Sequence, residues 1–250
     1  MQRYRVTVSY DGTHYFGFQR QSHQPSIQGK LEEALRRLGW SGDAVLPAAR
    51  TDRGVHAAGQ VIAFDLDWLH TNEELVAAMN AHLPADIAVK QAEPCAADFV
   101  PRYAAASRTY RYHLVHQSTR EPLRERYAWR VWPPLDLEAA NQASAYALGK
   151  HDFRAFGRPT REGGSTTRTI FAVNWGEEEG GCAFEVSADA FLTHMVRCMV
   201  YQIVHMGRDG SAWESWRAAL DEGAPVRPGL APANGLVLER VAFRKSSSYS

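Results

Sequence analysis

The order of strand-like and helix-like segments constrains the fold of this chain more than any other feature of its sequence. In the N-terminal part, apolar residues either alternate or recur at helical spacing. These patterns predict a strand at residues 4–10, a helix at 27–38, strands at 45–49 and 60–66, a helix at 71–82 that opens with a capping box, and a strand at 87–91. The order is β-α-β-β-α-β, which is that of a ferredoxin-like unit.

The same order recurs in the C-terminal part. The patterns predict a strand at residues 109–115, a helix at 137–148, hairpin strands at 169–175 and 182–187, a helix at 191–206 and a strand at 236–243. Two such halves predict an α+β fold with one continuous mixed or antiparallel sheet, helices on one face and a central active-site cleft. We expect an N-terminal α/β subdomain at 1–104, a C-terminal α/β subdomain with Arg-rich insertions at 105–245, and a disordered tail at 246–250.

Hydropathy and cysteine usage exclude several classes of protein. The chain has no apolar run of about 18 residues, which a membrane-spanning helix requires. Its first residues alternate like a strand and do not form the apolar stretch of a signal peptide. The cysteines, Cys95, Cys182 and Cys198, include no Cys-x-x-Cys, so neither a disulfide framework nor a structural zinc site is expected. These features predict a soluble cytoplasmic protein.

The charge is balanced, with 28 basic and 28 acidic side chains and a formal net charge of zero. This balance excludes a wholly basic coat for nucleic acid but is compatible with a local basic groove. Of the basic residues 24 are Arg, whose planar guanidinium grips phosphates and stacks on bases, although codon bias produces the same excess. Two Arg-rich stretches, residues 120–134 and 154–168, look like surface loops or insertions.

Asp52 is the candidate catalytic residue. It lies in the segment Arg50-Thr51-Asp52-Arg53-Gly54, between two predicted strands. Loops at strand ends commonly carry function because the sheet fixes their position. Positive charge on both sides keeps the acid ionised, which suits a nucleophile or a charge stabiliser. Taken alone, the segment is more typical of a solvated turn with surface ion pairs.

Eight motifs in order along the chain favour the catalytic interpretation of Asp52 over the solvated turn. They are YDGTHYFGFQRQ at residues 10–21, SIQG at 26–29 with the helix that follows, RTDRGVHA at 50–57, LPADI at 83–87, RTYRY at 108–112, GKHDF at 149–153, FLTHMVR at 191–197 and APANGLVL at 231–238. In these motifs the chain resembles the TruA family of tRNA pseudouridine synthases over almost its whole length.

The resemblance implies roles for four side chains. Asp52 matches the family's catalytic aspartate, the nucleophile, and both a covalent adduct and removal of a sugar proton stay open as routes. Tyr110 matches the tyrosine that stacks on the substrate uracil, and Arg197 the helix arginine that pairs with the catalytic aspartate. Arg50 matches the arginine thought to help evert the target base. From the residues alone, Tyr110 equally fits an inward-facing strand tyrosine, and Arg197 a helix arginine that reaches to solvent.

Three positions depart from the family pattern. Arg53 stands where the family usually has a small residue and adds a second charge to the loop. Ala49 and Tyr201 stand where glycines are common. The sequence offers no explanation for Arg53.

The resemblance also implies the reaction and the partners. We expect isomerisation of uridine to pseudouridine at positions 38, 39 and 40 in the anticodon stem-loop of tRNA, by a homodimer that needs no cofactor and no metal. His151, Asp152 and His194 lack the spacing of a metal site. The alternatives are the same chemistry on another RNA or tRNA position, a non-catalytic RNA-binding protein, and a hydrolase that uses Asp52 with a second carboxylate.

Overall fold

The structure is a computed structural model that describes residues 1–206 and 212–244. The tail predicted to be disordered, residues 246–250, lies outside the described residues. The strands are β1 (Gln2–Tyr10), β2 (Leu46–Pro47), β3 (His56–Leu66), β4 (Ile87–Pro94), β5 (Ala105–His116), β6 (Trp129–Val131), β7 (Gly149–Asp152), β8 (Thr167–Glu178), β9 (Gly181–Ala188) and β10 (Leu236–Phe243). The helices are α1 (Ile27–Arg37), α2 (Asn72–His82), α3 (Pro101–Ala104), α4 (Leu137–Ala145), α5 (Met195–Met206) and α6 (Ala212–Asp221).

The chain divides into two compact units. Unit 1 consists of Met1–Arg108 together with the segment that begins at Leu238, and unit 2 consists of Thr109–Val237. The sequence prediction places β10 in the C-terminal subdomain, whereas most of this strand belongs to unit 1. The reason is its strand partner, because β10 lies beside β3 in the sheet.

The sheet of unit 1 has the strand order β4-β1-β3-β10, with β2 beside β3. β1 is antiparallel to both of its neighbours, and Val6 lies opposite Ile62 on one side and Ala92 on the other. Every second residue of β1 from Tyr4 to Tyr10 is buried, as the alternating pattern predicts. The β-α-β-β-α-β order predicted for this part of the chain is confirmed.

Side-chain caps start both long helices of unit 1. The Ser26 hydroxyl accepts a hydrogen bond from the Gly29 N–H at the start of α1. At the start of α2, the Glu74 N–H donates to the Thr71 hydroxyl at 3.2 Å, and the Thr71 N–H donates to the Glu74 carboxylate at 2.8 Å. The predicted capping box is therefore confirmed, and both helices start where their exposed N–H groups find partners.

The sheet of unit 2 has the strand order β5-β9-β8-β7, with β6 parallel to β5. β8 and β9 form the predicted hairpin. Trp216 of α6 is fully buried against the Phe156 ring, with centroids 5.1 Å apart, and its Nε1–H donates to the Ala143 carbonyl at 2.9 Å. Trp175 of β8 donates in the same way to the Ser144 hydroxyl of α4. Trp216 thus joins α6 to α4, and Trp175 joins the sheet to α4, each with its indole N–H satisfied.

Two features of unit 2 differ from the prediction. The helix expected from residue 191 begins at Met195, because His194 has a φ of 71°, which is incompatible with a right-handed helix. The short strands β6 and β7 and the helix α6 were not predicted. The predicted α+β class with a mostly antiparallel strand arrangement is confirmed. Among the residues that the structure describes, no helix has the length and apolarity needed to cross a membrane.

Candidate active site

The loop that carries Asp52 begins where strand pairing stops. β2 pairs with β3 through Leu46 and Pro47, and the Ala48 N–H still donates to the Val61 carbonyl at 2.8 Å. At the next residue a side chain takes over, because the Gln60 amide donates to the Ala49 carbonyl at 2.8 Å and accepts from the Ala49 N–H at 3.3 Å. Gln60 is fully buried. It satisfies both backbone groups of Ala49, so the chain leaves the sheet at this point without a lost hydrogen bond.

Two further buried polar side chains, those of Arg108 and Tyr10, anchor the residues that precede Asp52. Arg108 donates to the Ala48 carbonyl at 3.0 Å and to the Arg102 carbonyl at 2.6 Å. The Tyr10 hydroxyl lies 2.9 Å from the Thr51 hydroxyl. Burial raises the pKa of Tyr10 to about 12, so this phenol is neutral around neutral pH and acts as a hydrogen-bonding group. The residues on the N-terminal side of Asp52 are thus anchored by buried groups.

A second loop, residues 11–18, packs against the backbone of Asp52. The Phe18 N–H donates to the Thr51 carbonyl at 3.0 Å, and the Gly54 N–H donates to the Tyr15 carbonyl at 3.3 Å. Between them, Gly17 has a φ of 95°, and a Cβ there would lie 2.8 Å from the Thr51 carbonyl oxygen and 3.3 Å from the carbonyl carbon of Asp52. The backbone that carries the acid is therefore fixed from both sides by close contacts and hydrogen bonds.

The residues of the loop differ in their exposure to solvent. Thr51 is buried, Asp52 is half-buried, and Arg50 and Arg53 are exposed. The Arg53 guanidinium carbon lies 4.2 Å from the centroid of the Phe16 ring, within the range of a cation–π contact. Arg50, Asp52 and Arg53 thus lie on one loop of unit 1, and the two arginines flank the acid in sequence.

Tyr110 and Arg197 lie in unit 2. Tyr110 of β5 is 7% exposed and meets the Phe191 ring edge-to-face, with centroids 5.1 Å apart. Arg197 of α5 is half-buried, and its Nε donates to the Ala231 carbonyl at 2.8 Å. In return the Ala231 N–H donates to the Arg197 carbonyl at 3.3 Å. Arg197 is therefore held by a backbone loop within its own unit, and its pairing with Asp52 stays a prediction.

Tyr201, one of the departures from the family pattern, belongs to an aromatic cluster in unit 2. Its ring is parallel to that of Trp129 and lies 4.3 Å from that of His205. A Cβ on Gly229 would come within 2.0 Å of the Tyr201 ring, so the tyrosine fills the space that this glycine leaves open. The segment that includes Gly229 leads directly to Ala231, the partner of Arg197.

The sequence prediction missed the side chains that position the loop. Gln60 is a buried amide at the head of the apolar run Val61–Phe64 in β3, and a polar residue of that kind requires hydrogen-bond partners. That pattern was the available signal. Its partner, the backbone of Ala49, becomes apparent only in the folded chain. Among the residues that the structure describes, no three His, Cys, Asp or Glu lie close enough to hold a metal ion.

Comparison with known proteins extends this picture. A family model described as tRNA pseudouridine synthase matches residues 6–104 and 143–244, which include Asp52 in the first segment and Arg197 in the second. The protein named tRNA pseudouridine synthase A of Myxococcus xanthus is 41% identical over 248 residues, which cover 98% of this chain and 93% of that one. The protein of the same name from Moorella thermoacetica is 40% identical over 247 residues, covering 96% and 98%.

A third relative comes from Clostridium perfringens. It is named tRNA pseudouridine synthase A 2 and is 36% identical over 244 residues, which cover 97% of this chain and all of that one. These matches extend over nearly the full length of the proteins compared and are not confined to the loop of Asp52. The chain therefore belongs to the tRNA pseudouridine synthase family.

Proposed function

We propose that this chain isomerises uridine to pseudouridine at positions 38, 39 and 40 in the anticodon stem-loop of tRNA. The observation that carries the proposal is the setting of Asp52, a half-buried carboxylate on a loop whose backbone is fixed by buried hydrogen bonds. Catalysis gains most from a reacting group that is held in place before the substrate arrives, because no free energy is then spent on ordering it.

The chemistry requires a carboxylate beside the sugar or base of the target nucleotide. The reaction breaks the glycosidic bond of uridine and joins the sugar to carbon 5 of the same base. The base leaves the helical stack to reach the side chain. Asp52 acts as the nucleophile on this proposal, and Arg50, exposed two residues earlier, helps to evert the base.

Two residues of unit 2 complete the proposed site. Tyr110 stacks on the uracil, an interaction worth about 1–3 kcal/mol per base. Arg197 pairs with Asp52 and keeps it ionised. The reaction is redox-neutral and the base stays with the enzyme, so the proposal includes no cofactor and no metal. We further propose a cytoplasmic homodimer in which the Arg-rich stretches at residues 120–130 and 154–168 lie near RNA or the dimer interface.

The test uses tRNA transcripts that carry uridine tritiated at carbon 5, from which pseudouridine formation releases tritium. We expect Asp52→Ala to abolish tritium release while tRNA binding stays measurable, because the variant removes the reacting group and leaves the RNA-binding surface in place. The same assay with transcripts that lack uridine at 38, 39 and 40 tests the position, and release is expected to stop.

Asp43→Ala is the matched control. Asp43 is an exposed acid of unit 1, and its only contact with Arg20 is through its backbone carbonyl, which alanine retains. This variant is expected to keep full activity. Full activity in Asp52→Ala would contradict the proposed mechanism. Tritium release from the transcript without the three uridines would mean that the chain carries out the same reaction at another position.

A further inference from the structure

Arg53, which the family pattern does not explain, has a fixed place in the structure. Two hydrogen bonds join its loop to the loop of residues 11–18, one from the Phe18 N–H to the Thr51 carbonyl and one from the Gly54 N–H to the Tyr15 carbonyl. Phe16 and Arg53 lie between these two bonds, on opposite loops. Their side chains meet there, with the guanidinium carbon 4.2 Å from the ring centroid. The position of this cation is therefore determined by the same contacts that fix Asp52.

The partner of Arg53 is an aromatic ring, whereas two other Arg side chains of unit 1, Arg3 and Arg20, have acidic partners. Arg3 pairs with Asp65 and Arg20 with Glu32. Arg53 is exposed and, among the residues that the structure describes, forms no ion pair. A carboxylate would neutralise the charge and use the N–H groups that lie in the guanidinium plane. A ring under one face leaves the charge and those N–H groups available to an anion.

The loop also has an electrostatic reason to hold an extra cation. The carboxylate of Asp52 must approach an RNA strand that carries one negative charge per nucleotide. Repulsion between the carboxylate and the nearest phosphates opposes this approach, and a cation beside the acid offsets it. Arg53 follows the acid directly in the chain and is exposed, so its charge is available near Asp52.

We propose that Arg53 binds a backbone phosphate of the RNA strand that carries the target uridine, and that Phe16 is the positioning residue for this contact. The proposal rests on the proposed function for its substrate. It assigns Arg53 to RNA binding, distinct from the reaction of Asp52 with the nucleotide and from the part proposed for Arg50 in base eversion.

The test measures tRNA affinity as a function of salt concentration. All proteins carry Asp52→Asn, so that no turnover occurs, and the ligand is an unmodified tRNA transcript. A contact with one phosphate contributes about 0.7–0.9 to the slope of log affinity against log salt. We expect Arg53→Gln to lower the slope by that amount and to weaken binding roughly threefold to tenfold at moderate salt.

Arg37→Gln is the matched control. Arg37 is an exposed arginine in the last turn of α1, in the same unit and without an ion pair among the described residues. It lies about 15 Å along the helix from the end that contacts the loop of residues 11–18. Its substitution removes the same charge and is expected to leave the slope unchanged. The proposal would be overturned if Arg53→Gln left the slope unchanged. It would also be overturned if Arg53→Gln and Arg37→Gln weakened tRNA binding equally.

A double-mutant cycle tests the part assigned to Phe16. Phe16→Leu is expected to weaken tRNA binding when Arg53 is present and to have no further effect in Arg53→Gln, because its action passes through the guanidinium. Additive losses would overturn the positioning role, since a purely structural effect of Phe16 would persist without Arg53. If the chain with Asp52 intact forms no pseudouridine in tRNA, the proposed function fails, whereas the slopes test the Arg53 contact separately.

Discussion

At the scale of single residues, Gly17 is closely packed against the backbone of the loop that carries Asp52. A side chain there would meet the Thr51 carbonyl oxygen at 2.8 Å, and the φ of 95° disfavours any residue with a Cβ. The contact atoms belong to the backbone of the catalytic loop and have no rotamer by which to move away. Any side chain at this position must therefore displace the loop.

We predict that Gly17→Ala lowers the rate of pseudouridine formation by at least about tenfold, since small displacements of a reacting group have large effects on rate. It is also expected to cost about 3 kcal/mol of stability, from backbone strain and the contact together. Tritium release and urea unfolding measure the two effects.

Gly39→Ala separates strain from contact. Gly39 has a φ of 86°, but a Cβ there would have no heavy atom within 4 Å. This variant is expected to cost only about 1 kcal/mol and to keep the rate. Equal rates in the two alanine variants would mean that the loop tolerates displacement.

The sequence motifs led to proposed roles for four side chains, but not to the side chains that position the loop of Asp52. Asp52, Arg50, Tyr110 and Arg197 were proposed from motifs. Gln60 was read only as the first residue of a strand, and its role depends on where Ala49 leaves the sheet. Arg53 was recognised as unusual but not explained, because its partner Phe16 lies on a loop 37 residues earlier in the chain.

At the level of elements, the pair formed by β2 and β3 determines where the catalytic loop begins. β2 has only two residues. At Ala49, just beyond this strand, the Gln60 side chain takes the place of a strand partner. The loop is thus a continuation of the sheet edge supported by one amide. A change in that amide affects the geometry of an entire segment.

We predict that Gln60→Leu lowers the rate of pseudouridine formation more than its loss of stability explains. Leucine leaves the N–H and carbonyl of Ala49 without their side-chain partner, at a cost of about 1–3 kcal/mol for each buried group. The loop then gains freedom next to Asp52. The rate is measured by tritium release well below the melting temperature.

Thr71→Ala provides the comparison, because it removes the capping box of α2 and costs about 1 kcal/mol in the same unit. It is expected to leave the rate unchanged. A loss of rate in Gln60→Leu no greater than in Thr71→Ala would show that the amide serves stability alone.

Apolar periodicity predicted many of the elements but not all of them. The N-terminal order and the β8–β9 hairpin followed from it, whereas the ten-residue helix α6 was missed. The strands β6 and β7 have three and four residues, too few for a period to be visible. The predicted start of α5 was wrong. The helical apolar pattern begins at Phe191, but the positive φ of His194 prevents the helix from starting before Met195.

Across the whole molecule, buried tyrosines are expected to lower the free energy of unfolding at alkaline pH. Burial raises the pKa of Tyr10 to about 12. It also raises the pKa of Tyr15, assisted by the hydrogen bond to Asp86, and that of Tyr112 in unit 2. These phenols keep their protons in the folded chain at pH values at which an unfolded chain has lost them.

We predict that the contribution of these tyrosines to the free energy of unfolding is constant up to about pH 10, the ordinary pKa of tyrosine, and then falls. The folded state binds more protons there, so stability decreases as pH rises toward the folded pKa. Tyr10 alone contributes about 2 kcal/mol of this loss by pH 12. Urea unfolding at a series of pH values measures it, and Tyr10→Phe is expected to flatten the decline. A free energy that stays constant beyond about pH 11 would contradict the prediction.

The division of the chain into units has a consequence for its synthesis. Unit 1 contains residues up to Arg108 and then β10, which lies beside β3 but follows all of unit 2 in the sequence. A ribosome therefore makes the whole of unit 2 before the sheet behind Asp52 has its last strand. While that strand is missing, β3 presents an unpaired edge in the nascent chain. The loop of Asp52 thus gains its complete scaffold only late in translation.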